Sequence, residues 1–220
     1  MIPKMLHYIW IGGEKTDIVK KCESSYKEYL KSFIIMEWNE SNIDYESFDQ
    51  CLKDAYVSFY DRKYYAFCSD IARLYILLNN GGIYVDSDIE FIRPLNDKFL
   101  QTPLLGRGAD GRVDNGIIWG CYKNDKFVKS CIRWFNKNMS ILGSNSYGLN
   151  WIFSDIPRGF MDLFGDTHDN ETITKFYDYT VYPSKYFDLE KAGAFSITLD
   201  HHAGSWRKCK RVELNTISGK

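Results

Sequence analysis

Proline is scarce in this chain, with 5 among 220 residues, and no proline-rich, repeated or low-complexity stretch marks a place where it would divide. One domain spanning 1–220 is therefore expected. Cysteine pairs are missing too: Cys22, Cys51, Cys68, Cys121, Cys131 and Cys209 lie far apart with no C-x-x-C. That spacing excludes a thiolate zinc site and a small disulfide framework, and free cysteine in apolar surroundings serves as a small hydrophobe. No apolar run approaches the ~20 residues of a membrane helix, and MIPKMLHYIWIGG is broken by Lys4 and His7, unlike a leader peptide. A soluble, cytoplasmic protein is the expectation. Excess charge is absent as well: the net charge of -1 carries no nucleic-acid footprint. One local exception is WRKCKR, Trp206 to Arg211, read either as a solvated tail or as a patch for peripheral contact with the anionic inner face of a membrane.

Aromatic residues are abundant, at 16% with 16 Tyr, 14 Phe and 6 Trp. Such rings fill cores and also make platforms for sugars and nucleobases. MLHYIWIGG reads as a first strand ending in a Gly12-Gly13 turn, and Asp17 to Lys31 as a helix with Ile18, Cys22, Tyr26, Tyr29 and Leu30 inward. Phe33 to Trp38 reads as a second strand, so the chain opens β-α-β and implies a mostly parallel α/β sheet. Residues 41–68 suit short helices. SDIARLYILLNN predicts a helix capped by Ser69, with Ile71, Leu74, Tyr75 and Leu78 buried, stopped by Asn79-Asn80-Gly81-Gly82. IYVD, IEFIRPL and Val113 to Tyr122 follow as extended segments, Asp125 to Asn138 as a helix, and VYP and SITLD as short strands.

The chemistry concentrates in GGIYVDSDIE. Strand side chains alternate faces, so Asp86 and Asp88 share one face at the end of the strand and Ser87 points the other way. Two close carboxylates raise one another's pKa unless a cation stands beside them. Hard ions such as Mg²⁺ or Mn²⁺ bind through one or two carboxylates plus substrate phosphates, and strand ends of an open α/β sheet border the ligand crevice. The competing reading is two solvated aspartates in a turn. Phosphatases of the haloacid-dehalogenase type also carry a D-x-D, but on the first strand and followed by Thr or Val; here Glu90 stands in that place, which excludes them.

The surroundings decide between these readings. KYYAFCSDIARLYILLNNGGIYVDSDIEFIRPL, Lys63 to Leu95, resembles the signature of glycosyltransferase family 32: YAF-x-SD, then R-x-x-x-L, then GGIY-x-D-x-D and a Pro-Leu turn. IPKMLHYIWIGG at the start and HHAGSW at the end are similar to further pieces of it. The family spans yeast mannosyltransferases and bacterial capsule and lipopolysaccharide enzymes, and the clostridial glucosylating toxins share a similar core.

The resemblance implies a GT-A fold with residues 1–122 as the nucleotide-sugar half and 123–220 as the acceptor half. It further implies a divalent cation and transfer of a hexose, with retention, from a nucleotide diphosphate-sugar (a UDP-sugar is favoured) to a glycan acceptor that a lipid can carry. By this resemblance Ile9 and Trp10 line the nucleobase pocket, and Asp70 and Arg73 meet the donor's ribose, sugar and phosphate. Tyr84 adds a ribose contact, Asp86 contacts ribose and metal, and Asp88 is the direct metal ligand. His201 is the expected third ligand, with His202 and Asp200 left open because the chain departs from the family's HH-aromatic-x-G-S-W. Ser205, Trp206 and Arg207 close over the diphosphate, assisted by Lys208, and Asn115 borders donor sugar and acceptor. With no lone nucleophile evident, front-face attack is preferred to a covalent intermediate. A non-catalytic sugar-nucleotide-binding module and a toxin-like, protein-modifying transferase are the alternatives. Residues 123–199 match little.

Overall fold

The opening β-α-β unit forms as the periodicities predict: β1 (Met5–Ile9), α1 (Asp17–Tyr29) and β2 (Ile34–Trp38), with β1 and β2 parallel from Met5↔Ile34 to Ile9↔Trp38. The computed structural model describes residues 1–142, 159, 161–162, 165–188 and 191–203. Thr16 caps α1 by accepting the Val19 N–H at 3.4 Å. Val19, Cys22 and Tyr26 face inward, whereas Ile18 is 37% exposed. Cys22, Tyr26 and Leu30 keep the expected stripe, and Val19 takes the buried place expected of Ile18.

After α2 (Gln50–Asp61) comes α3 (Tyr65–Asn80). It starts four residues before Ser69. Ser69 is therefore interior, its hydroxyl bonding the Tyr65 carbonyl at 3.1 Å instead of capping a helix start. Far more than one stripe of α3 is covered: Cys68, Asp70, Ile71, Ala72, Arg73, Leu74, Tyr75, Ile76 and Leu77 are all buried. α2 and α4 (Lys126–Leu142) flank it. Gly81 and Gly82, at φ 67° and 96°, end α3 and turn the chain straight into β3 (Gly82–Tyr84).

The main sheet runs β2-β1-β3-β6-β5-β8-β7, completed by β5 (Leu104–Arg107), β6 (Val113–Cys121), β7 (Thr174–Phe176) and β8 (Tyr179–Tyr182). Five of these seven strands point one way; β6 and β7 run against them. β4 (Ile89–Phe91) and β9 (Thr198–Asp200) form a separate antiparallel ribbon, with Ile89 opposite Asp200. One apolar cluster joins Ile9, Tyr84 and Trp119 of the sheet to α2, α3 and α4; the other joins Leu6, Ile83 and Ile118 to α1 and the ribbon. The result is a mixed α/β layer structure whose parallel strands end at one edge, where ligands of such sheets bind. Among the described residues no helix is long and apolar enough to cross a membrane.

His7 pins this edge from behind. It is fully buried, its Nδ1 accepts the Trp38 indole N–H at 3.1 Å, and its Nε2 lies 2.8 Å from the Gly81 carbonyl. The neutral imidazole protonated on Nε2 satisfies both partners. Burial lowers the His7 pKa to about 4, although the Gly81 carbonyl opposes it. A histidine whose folded pKa lies below its unfolded value binds fewer protons when folded, so its contribution is lost as pH falls from about 6.5 towards 4. Urea unfolding is expected to show wild type losing about 2 kcal/mol more than His7→Gln between pH 7.5 and 5. Parallel losses in the two proteins would remove His7 as the cause.

Candidate functional site

The ladder of β3 stops at Tyr84, so Asp86, Ser87 and Asp88 lie in a turn and not on a strand. Asp86 N–H donates to the Gly116 carbonyl at 2.7 Å, and Ile89 N–H donates back to the Asp86 carbonyl at 3.1 Å. The alternation that would set both carboxylates on one strand face does not operate here. Each is instead turned to its own set of partners.

Asp86 faces α3. Its Oδ1 accepts the Tyr84 hydroxyl at 2.9 Å and stands 3.6 Å from Arg73 Nη2. Arg73 also pairs with Asp70, one helical turn before it, and its guanidinium lies 4.8 Å over the Tyr84 ring. Asp70 and Arg73 are 7% and 4% exposed, so this is a buried pair and not a surface one. Burial opposes the Arg73 charge, but Tyr84, Asp70, Asp86 and Asp114 together hold it firmly protonated. Its Nε is buried and meets no acceptor among the described residues. The Asp86 side chain is 42% exposed, so the group opens to solvent on one side.

Gly116 makes room for that carboxylate. A Cβ there would stand 2.2 Å from Asp86 Oδ2. As the extended reading of Val113 to Tyr122 expects, Asp114, Asn115 and Gly116 all lie in β6, with Asn115 buried. Nothing local in the sequence distinguishes this glycine, because its reason is an approach from a segment thirty residues earlier.

Asp88 faces the ribbon. Its Oδ2 accepts the Ala203 N–H at 2.9 Å, and its carbonyl accepts the His201 N–H at 3.2 Å. Burial, then Asp86, raises the Asp88 pKa. Burial, then Asp88, raises that of Asp200 to about 7. Asp188, just after the short helix Ser184–Phe187, is 4% exposed and is likewise raised by burial. His202 approaches both: its Nδ1 is 3.2 Å from Asp200 Oδ2, and its Nε2 is 3.7 Å from Asp188 Oδ1. Three carboxylates destabilised in their charged form beside one imidazole fit a divalent cation better than they fit one another.

His201, expected as the third metal ligand, points elsewhere: its Nε2 is 2.8 Å from Glu90 Oε2, which also pairs with Lys21 at 2.8 Å. β9 ends at Asp200, and beyond it His202 takes a left-handed φ of 44° with its N–H donating to Asp200 Oδ1 at 2.6 Å, which keeps His202 beside Asp200 while His201 turns to Glu90. Asp188 carried no signal in the sequence; one aspartate in a weakly patterned stretch stands out only when the fold brings it to the ribbon. Trp10 directly follows β1 at the same sheet edge, its indole N–H donating to the Gly13 carbonyl at 2.8 Å, and the Tyr65 ring of α3 lies against Gly12. Ile9 is buried in the core with α3. Ser205, Trp206, Arg207 and Lys208 lie outside the described residues, as does the rest of the basic cluster.

Residues 14–105 match the family model described as glycosyltransferase sugar-binding region containing DXD motif, a span that includes Asp70, Arg73, Asp86 and Asp88. A curated relative, the uncharacterized glycosyltransferase L373 of Acanthamoeba polyphaga mimivirus, is 32% identical over 129 residues, covering 54% of this chain and 49% of its own. The chain thus spans about half the length of that relative. Among solved structures, the PaToxG glycosyltransferase superposes with a TM-score of 0.59 at 18% identity, over 74% of this chain and 70% of its own. The UDP-bound glycosyltransferase domain of the YGT toxin gives 0.52 at 13%, over 64% and 63%. At such identities the shared property is the fold, the GT-A type.

Proposed function

We propose, from the match of residues 14–105 to the model of the DXD-containing glycosyltransferase sugar-binding region, that this chain is a cation-dependent transferase of nucleotide diphosphate-sugars. One observation carries the reading: the buried Asp70–Arg73–Tyr84–Asp86 group and the cation-seeking Asp88 stand at the two ends of a single turn on the sheet's ligand edge. A uridine diphosphate-sugar is the favoured donor, supported by the UDP-bound toxin domain of the same fold. The acceptor is read as a hydroxyl of a surface glycan, free or lipid-linked, and the product as retained in configuration.

The residues divide the work. Asp86, half open to solvent and held by Tyr84, accepts hydrogen bonds from ribose hydroxyls. Arg73 offers its unmatched Nε–H to the donor's sugar or phosphate oxygens. Trp10 supplies an aromatic face for the base. Asn115 borders donor sugar and acceptor. Asp88, with Asp200 and His202 near it, holds the divalent cation, which when bound offsets charge developing on the departing diphosphate. Since that charge is greatest in the transition state, these contacts lower the barrier and do more than tighten binding.

A thermal-shift panel of nucleotide sugars with and without Mn²⁺ tests this, followed by nucleotide-release assays with glycan acceptors. A saturating matched donor with Mn²⁺ is expected to raise the melting temperature by about 5–10 °C. No shift with any nucleotide sugar, or transfer surviving thorough chelation, would sink the reading. Binding without hydrolysis or transfer would instead indicate a non-catalytic module. The likeness to a toxin domain supports one further acceptor class, a protein side chain, and protein acceptors belong in the same assay.

A further inference from the structure

We infer that Lys15 and Glu40 are positioning residues for nucleobase recognition. They fasten the loop between β1 and α1 and so fix the Trp10 ring, a role that rests on the reading that this ring faces the base. Trp10 prolongs the β1–β2 ladder by one bond, its N–H donating to the Trp38 carbonyl at 2.9 Å. Gly12 and Gly13, at φ 93° and 108°, then fold the chain back until the Gly13 carbonyl meets the Trp10 indole N–H. The ring's one donor is spent on its own loop, so where the loop stands the ring stands.

Glu40 holds the tip of the loop, its Oε1 accepting the Gly12 N–H at 2.8 Å. It does so from a turn that is itself tied: Asn39 N–H donates to Asn42 Oδ1, and Asn42 Nδ2 to the Glu37 carbonyl, each at 2.8 Å. Lys15 holds the exit. Its ammonium bridges Glu23 of α1 and Glu37 of β2, the latter at 2.7 Å. The Tyr8 hydroxyl of β1 lies 2.7 and 3.1 Å from the same two carboxylates. Tyr8 has one proton for two carboxylates, so Lys15 is the charge that lets both stay ionised there. The side chains of Lys15 and Glu23 are 22% and 19% exposed, which sets this bridge apart from solvated surface pairs. Its consequence is geometric: strand, helix and loop meet at one ammonium, and without it the loop is free to swing with the indole attached.

Calorimetric titration of the full chain tests this, with Mn²⁺ present and UDP, GDP and ADP as probes. The tightest of the three is carried to the variants beside inorganic pyrophosphate, which has no base. Lys15→Met is expected to weaken the nucleotide about tenfold and Glu40→Ala about fivefold, while pyrophosphate changes less than about twofold. Lys15→Arg, which can still bridge both carboxylates, is expected to bind within about threefold of wild type. In a Trp10→Ala background, Lys15→Met should add less than about twofold, because the clamp acts through the ring. Three results overturn the inference: Lys15→Met binding the nucleotide as wild type does, pyrophosphate losing as much as the nucleotide, or the tenfold loss persisting without Trp10. Should Lys15→Met not fold, Glu40→Ala carries the same comparisons, since Glu40 is exposed and its removal mild. A wild type that binds none of the three nucleotides removes the donor reading and the clamp with it. Nucleotide binding indifferent to Trp10→Ala leaves the donor reading standing and removes the clamp alone.

Discussion

Asp88→Ala is expected to lower cation-dependent sugar transfer by on the order of 10³-fold or more, about 4 kcal/mol of transition-state stabilisation. The fold should survive and gain. Asp88 is held against Ala203 N–H and the ribbon backbone, but burial and the charges of Asp86 and Asp200 work against its ionised form. Removing that carboxylate relieves repulsion in the metal-free protein, so the variant should melt no lower than wild type without Mn²⁺. With Mn²⁺ and donor it should lose most of the ligand-induced rise. Kinetics and paired melts check both halves. Near wild-type turnover would show that Asp88 is no metal ligand; a collapse in stability would show that its role is structural.

Gly116→Ala is the second large effect, and it comes from a residue with no functional group. The added methyl would meet Asp86 Oδ2 at 2.2 Å and Cγ at 2.8 Å. Neither backbone yields easily, because β6 lies between β3 and β5 and the Asp86 N–H is tied to the Gly116 carbonyl at 2.7 Å. The carboxylate must therefore swing away from the Tyr84 hydroxyl and Arg73. A misplacement of about 1 Å at such a centre is worth roughly 10²-fold in kcat/KM. The Gly116 backbone does not lie in the left-handed region, so alanine is conformationally acceptable and slightly restricts the unfolded chain. Folding stability is expected to change by under about 1 kcal/mol while donor affinity and turnover fall together. Turnover within a fewfold of wild type would mean that the Asp86 geometry is not what the reaction needs.

The local features were legible in the sequence for a physical reason. Periodicity writes β1, α1, β2 and α3 into the chain, and the glycine pair after Asn80 ends α3 where it was expected. The spacing of Asp70 and Arg73 already set them one helical turn apart. Ser69 has the residue type of a cap, yet α3 begins at Tyr65, because Tyr65 to Cys68 form its first turn. What was not legible depends on contacts between distant segments. Only the strand order brings Gly116 against Asp86, and only the pairing of Ile89 with Asp200 carries His202 towards Asp188 and sends His201 to Glu90. By itself the sequence determined which segment carries the carboxylate pair. The tertiary structure decided that the pair divides at a turn, one aspartate to the arginine and the other to the ribbon, because register is a property of two strands and neither strand's sequence contains it.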